Sequence, residues 1–367
     1  MSFRKFITES VALNNKKEHV EDHVFNGKDG ADHAIDTLKG VHDRLKGEAT
    51  EVKVKHDYSS NCCIVFGHDP KTDKFFVSTK QKALTDKPVL CFTKSNIDKN
   101  FKDNEADTLN LSLQHLPKVV PPSGVYMGEI MYTKDGVYDD DDKYHFIPES
   151  TVYSVKKKDD NAKSMKEADI GLIVTAKLHG RDMSNMVINH DPDIQNFRQS
   201  KCVHVIDPEV SMDKGGIDEE TDNAVTKHLK DADKENMNTH PDAHHEAAIH
   251  SNHLKQYVND LSKNLNEEES PDKPTPMGFK AFLTKKFKDD KTTLLSHMAH
   301  VDEHHDKYNS LLTLHHHLTK AKCKLIDALN DKGGFERSDE GDLLTDHGYI
   351  VVNKGRVSKM INRSKKH

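Results

Sequence analysis

The sequence predicts an α+β protein, a β-rich core with helical segments before and within it, on three observations. Apolar residues recur at helical spacing between Ala31 and Leu45. Several short runs of strand character follow between residue 51 and about 210. Beyond Gly215-Gly216 the chain turns polar, His-rich and helical again.

The first element rests on Ala31, Ala34, Ile35, Leu38, Val41 and Leu45, three and four residues apart, with Gly30 before them and Gly47 after. That stripe predicts one helix face docked on a core. From Glu51 the period changes to two, with Val52 and Val54 alternating. Cys62 to Gly67, a His68-Asp69-Pro70 turn and Lys74 to Thr79 then predict a hairpin. A helix is expected over Glu105 to Leu116, and strands over Val125 to Tyr132, Thr151 to Val155 and Ile170 to Thr175. A long amphipathic pattern spans Thr292 to Leu329, and Gly348 to Val352 returns to strand type. The expected organisation is a helical segment over 1–50, a core over 51–214, a polar His-rich helical insertion over 215–335, and C-terminal strands over 336–367 that complete the core and end in a basic tail.

The chain has 367 residues, 34% hydrophobic and 31% charged, with a mean hydropathy of −0.80. No run approaches the roughly 20 apolar residues of a membrane helix, and MSFRKFITES has no apolar centre of a secretion signal. The expectation is an intracellular protein without a membrane partner. Five cysteines form neither a CxxC pattern nor a disulfide framework and read as reduced thiols. With 54 basic and 61 acidic side chains the net charge is −7, so nucleic-acid contact would need a local patch.

Chemistry is suggested first by Lys55-His56-Asp57, a KxD element at a strand end, in which a lysine amine would attack the α-phosphate of ATP. Alone, the triplet leaves open a solvent-facing lysine on a strand of alternating Lys and Val. Residues 51–80, EVKVKHDYSSNCCIVFGHDPKTDKFFVSTK, resemble VKWDGxPAxxxGxDPxTGKFFVxTK of an RNA-ligase-like family of large contractile-tailed phages. Further blocks follow in that family's order. Gly124 to Thr133 resembles GVxQGDxMFT, Phe146 to Tyr153 resembles FxPNTIxY, Ile170 to Ile173 resembles IGIV, Asp346 to Val352 resembles HEGFVV, and Val357 to Arg363 resembles VKLVxR.

The resemblance implies a nucleotidyltransferase core like the adenylation domain of ATP-dependent ligases, built of antiparallel sheets. It implies Lys55 as adenylated nucleophile within a catalytic set of Lys55, Asp57 and Lys359, with Lys359 on the α-phosphate. Lys80, Glu129 and His347 fall at cofactor-binding positions, Glu129 on ribose or Mg²⁺, and ATP and Mg²⁺ are the implied cofactors. Two positions depart from the pattern. Tyr58 replaces the glycine after KxD, and His347 replaces a glutamate, exchanging a hard oxygen for an imidazole poorly suited to Mg²⁺. Three readings follow: an ATP-dependent RNA or polynucleotide ligase, a catalytically dead nucleotidyltransferase fold acting in the phage head or on a host component, or a nucleic-acid-binding module without catalysis.

Phe3 to Glu9 resembles the capsid-targeting signals of internal head proteins in such phages, which implies head proteins as partners and the head interior, besides host cytoplasm, as location. Arg356, Lys359, Arg363, Lys365 and Lys366 form a basic end that reads either as a contact to the phosphate backbone of RNA or DNA or as a solubilising tail. His245-Glu246-Ala247-Ala248-Ile249-His250 is no HExxH zinc motif, since its histidines are five apart. His300 and His304 have ligand spacing, but among 26 histidines a solvated helix is the expectation. Asp139 to Asp142 reads as a solvated loop tip.

Overall fold

A computed structural model of the chain describes residues 17–361 apart from 59, 150, 213–215, 240, 264–272, 331, 333–334, 340–341 and 345–347. The chain divides into two compact units. One comprises residues 1–55, 210–332 and 346–367, and the other 56–209 with 333–345. The expected segment 1–50 and the expected insertion as far as residue 332 thus share one unit. The expected C-terminal segment is split, its strands up to Leu344 lying with the β-rich unit and its last hairpin with the helical one.

In the helical unit, the Lys28–Leu45 helix buries the whole stripe Ala31, Ala34, Ile35, Leu38, Val41 and Leu45. It comes very close to the chain entering the first core strand, because a Cβ at Gly40 would stand 2.3 Å from Val52 Cγ2. Only glycine permits that approach. The amphipathic run after Thr292 forms two helices, Lys291–Glu303 and His305–Asn330, separated at His304. Neither Gly nor Pro stands there to announce the break. Leu311, Leu314, Leu318, Ala321, Leu325 and Leu329 bury one stripe of the second helix. The Glu219–Asn238 helix, capped by Asp218 accepting from Thr221 N at 2.9 Å, packs along it.

This unit also holds a small sheet in the order Glu18–His19, Arg356–Met360, Tyr349–Asn353, Lys53–His56. Its final hairpin turns through Lys354 and Gly355, both with positive φ, the geometry that matches the twist of the strands it joins. Lys322 and Glu21 are 1% and 0% exposed and meet at 2.6 Å. Removing one partner strands the other charge in the interior. Lys322→Ala is therefore expected to lose about 3–5 kcal/mol of stability, read from denaturant unfolding.

The β-rich unit holds two sheets. The larger runs Val187–Asn189, Ile170–His179, Val125–Thr133, Cys63–His68, Phe75–Thr79, all antiparallel, with Val203–Ile206 parallel to Ile170–His179. The expected hairpin is there, its turn tied by Asp69 accepting from Thr72 Oγ1 at 2.6 Å. The Asp103–His115 helix covers one face, placing Leu109 against Ile64, Phe66 and Val77. The second sheet is antiparallel throughout: Asp342–Leu344, Glu336–Asp339, Val152–Lys156, Lys143–Phe146, Val137–Asp139. The chain is thus α+β with several antiparallel sheets, and none of its described helices is long and apolar enough to cross a membrane.

His33 and His204 are buried, one in each unit. Burial foremost, reinforced by His23, Arg356 and Lys354, lowers His33 to about 4, and burial alone lowers His204 to about 4. The unfolded chain takes up these protons near the ordinary 6.5, so acidification favours unfolding. Their contribution is complete above 6.5 and is lost between 6.5 and about 4. Melting temperature should fall steadily from pH 7 to 5; a constant value across that interval contradicts it.

Candidate functional site

The strand Lys53–His56 buries Val54, and Val52 before it, in the helical unit's core. Alternation turns Lys53 and Lys55 to its opposite face. On Arg356–Met360 the same rule buries Ser358 and Met360 and turns Lys359 away, level with Ile350 on the neighbouring strand. Lys55 and Lys359 therefore share the sheet face turned from this core. One strand, Tyr349–Asn353, separates theirs.

Asp57, Lys80 and Glu129 belong to the β-rich unit. Glu129 lies on Val125–Thr133 opposite Cys63, half-buried, and its Oε2 accepts a hydrogen bond from Ser60 N at 2.7 Å. Lys80 follows Thr79, whose partner Ile64 is next to Cys63. Lys80, which opens a short helix after the strand Phe75–Thr79, and Glu129 thus stand at one end of the larger sheet, on either side of Cys63–His68. Beside them the Cys62 thiol is pushed up to about 11, by burial and then by Glu105 and Glu129, so it stays protonated and is a poor nucleophile. All five cysteines are free thiols.

Tyr58 is the residue whose place is most defined. It is 8% exposed, stacks on His56 at 5.2 Å between ring centroids and meets Tyr153 at 5.7 Å and Phe335 at 5.5 Å. Phe146 closes the cluster, 5.3 Å from Tyr153 and 5.1 Å from Phe335. The Tyr58 hydroxyl accepts a hydrogen bond from Phe335 N at 3.1 Å. The ring thus fills the space that a glycine would leave for backbone movement or a ligand, and its polar tip closes a main-chain donor.

His347 and Asp346 lie outside the described residues, as do the Phe3–Glu9 motif and Arg363, Lys365 and Lys366 of the basic end. Among the described residues, four groups of His, Cys, Asp or Glu bring three ligand atoms within 4.8 Å of one another, and Glu129 is in none. A Mg²⁺ at Glu129 would take its other oxygens from phosphate and water.

Over residues 14–365 the chain matches the model of a family of unknown function, DUF6267. The chain belongs to that family. No curated protein and no solved structure matches it. Two contributors to this DUF6267 chain's site gave no signal in the sequence: the Ser60 main-chain donor and Phe335. The latter is 277 residues from the tyrosine it touches, a separation that no local pattern spans.

Tyr58→Phe keeps the ring and removes the acceptor, leaving Phe335 N–H buried and unmet. The expected loss is about 1–3 kcal/mol in chemical denaturation. An unchanged midpoint would mean that the hydroxyl contributes nothing.

Proposed function

We propose that the chain is a nucleotidyltransferase-fold protein of a contractile-tailed phage that no longer forms lysyl-AMP and acts by binding, packaged in the head or against a host component. The ancestry rests on the ordered blocks from Glu51 to Arg363. It is supported by Lys55 and Lys359 sharing one sheet face, as a nucleophile and a phosphate contact would.

The loss of chemistry rests on Tyr58. In adenylation the lysine Nζ gives up a proton and forms a P–N bond to the α-phosphorus, while the bond to pyrophosphate breaks. The nucleotide must then lie against the chain that follows the nucleophile. Here that chain carries a tyrosine locked into an aromatic cluster and tied to Phe335 N. Glu129, the implied ribose or Mg²⁺ contact, already accepts from Ser60 N. Reopening the position would give up both ring packing and a buried hydrogen bond.

Intact-mass measurement of the purified chain after incubation with ATP and Mg²⁺ is expected to show no added AMP. A gain of one AMP that Lys55→Ala abolishes would restore the ligase reading. The binding role expects the chain among the proteins of purified phage particles or bound to a host component.

A further inference from the structure

Three residues of the helical unit that the sequence left apart come together around one point. Glu246 is on the helix Pro241–Ala248, His300 is on Lys291–Glu303, and His304 follows at that helix's end. Glu246 Oε2 is 3.7 Å from His300 Nε2 and 3.4 Å from His304 Nε2, and all three ligand atoms lie within 4.8 Å of one another. Such spacings are too long for strong hydrogen bonds. They suit the edges of a coordination tetrahedron. Ligands about 2.0–2.1 Å from an ion stand about 3.3–3.4 Å apart in a tetrahedron, against about 2.9 Å in an octahedron with the same bonds.

We propose that Glu246, His300 and His304 bind a divalent transition metal, with Zn²⁺ the best match to two imidazoles, one carboxylate and tetrahedral spacing. The three side chains are 22%, 21% and 17% exposed, so an ion reaches them from solvent and keeps a fourth position for water. Lys307 Nζ stands 4.0 Å from the other carboxylate oxygen, Oε1. It draws that oxygen away and leaves Oε2 to the ion. His300 Nε2 is also 3.3 Å from the Glu246 main-chain oxygen, a long contact that the metal replaces.

The support behind the ligands is rigid. The His300 and His304 rings meet edge to face at 4.7 Å between centroids. Behind His300, at 5.4 Å, lies the His250 ring, 1% exposed and hydrogen-bonded to Tyr308 Oη and to His297 Nδ1. Rings held in this way keep their orientation without the metal, which is what a preformed site requires. By contrast, in the grouping Glu21–Asp22–His315 the Glu21 carboxylate is already paired with Lys322.

The test uses the full chain with Co²⁺ as a spectroscopic probe and Zn²⁺ as competitor. One equivalent of Co²⁺ with the intense visible bands of four-coordinate cobalt is expected, displaced by one equivalent of Zn²⁺. Glu246→Gln should weaken Zn²⁺ binding by more than about 100-fold, beyond the 10–100-fold that outer partners cost. His228→Ala with His317→Ala, which dismantles a separate grouping, should leave it unchanged. Zinc-edge X-ray absorption of the unaltered chain, showing two imidazoles per zinc, checks the same point where a variant does not fold. A weak octahedral cobalt spectrum, zinc without imidazole ligands, or an affinity indifferent to Glu246→Gln overturns the site.

Discussion

The helical unit depends on a charge pair sealed from water. Taking Lys322 and Glu21 out of solvent costs several kcal/mol each, and the cost is offset only if both are present and their remaining hydrogen-bonding capacity is met. Lys322 Nζ donates to Glu21 at 2.6 Å and to the carbonyl oxygen of Ile361 at 2.8 Å. Those three residues come from the start, the helical run and the final hairpin of the chain. Two turns back along the same helix, His315 meets Asp22 at 3.2 Å and stacks on Phe25 at 5.1 Å. Neighbouring acids on one short segment thus meet residues two turns apart on one long helix, and a slide of either would strand Glu21 without its lysine and Asp22 without its hydrogen-bond partner. A purely apolar seam would tolerate that slide; this one does not.

What the sequence revealed follows the range of the interaction concerned. The stripe Ala31 to Leu45, the hairpin around His68-Asp69-Pro70 and the strand Val125 to Tyr132 are written in side-chain periods and turn chemistry a few residues long, and each forms where expected. The break at His304 carries no glycine or proline, so the run before and after it reads as one helix. Division of the C-terminal strands between two units is set by pairing partners far back in the chain, Glu336 with Ser154 and the strand Tyr349–Asn353 with Lys53–His56. Local propensity carries no information about such partners.

The candidate site shows the same limit. Alternation alone turns Lys55 and Lys359 away from a core, but their shared face depends on a strand order that alternation does not encode. Tyr58 stood out in the sequence as a departure from a glycine, while the group that closes over it did not. Glu246 was set aside because its own flanking histidines are five apart, and its companions came instead from another helix. At Tyr58 the ring that packs into the β-rich unit occupies the volume that a glycine would leave open.

The interleaving of the two units bears on how the chain matures during synthesis. The Lys28–Leu45 helix emerges first, yet much of the apolar surface that covers it, such as Leu325 and Val351, is more than 250 residues downstream. The β-rich unit, though made in the interval, has an unfinished edge of its own, because Val152–Lys156 pairs with Glu336–Asp339. An amphipathic helix face and an open strand edge thus coexist on the nascent chain from residue 156 until the helical run that contains Leu325 is made, the two surfaces most prone to adventitious pairing. Chaperone dependence and slow, late-completing assembly follow from that topology, independently of how stable the finished protein is.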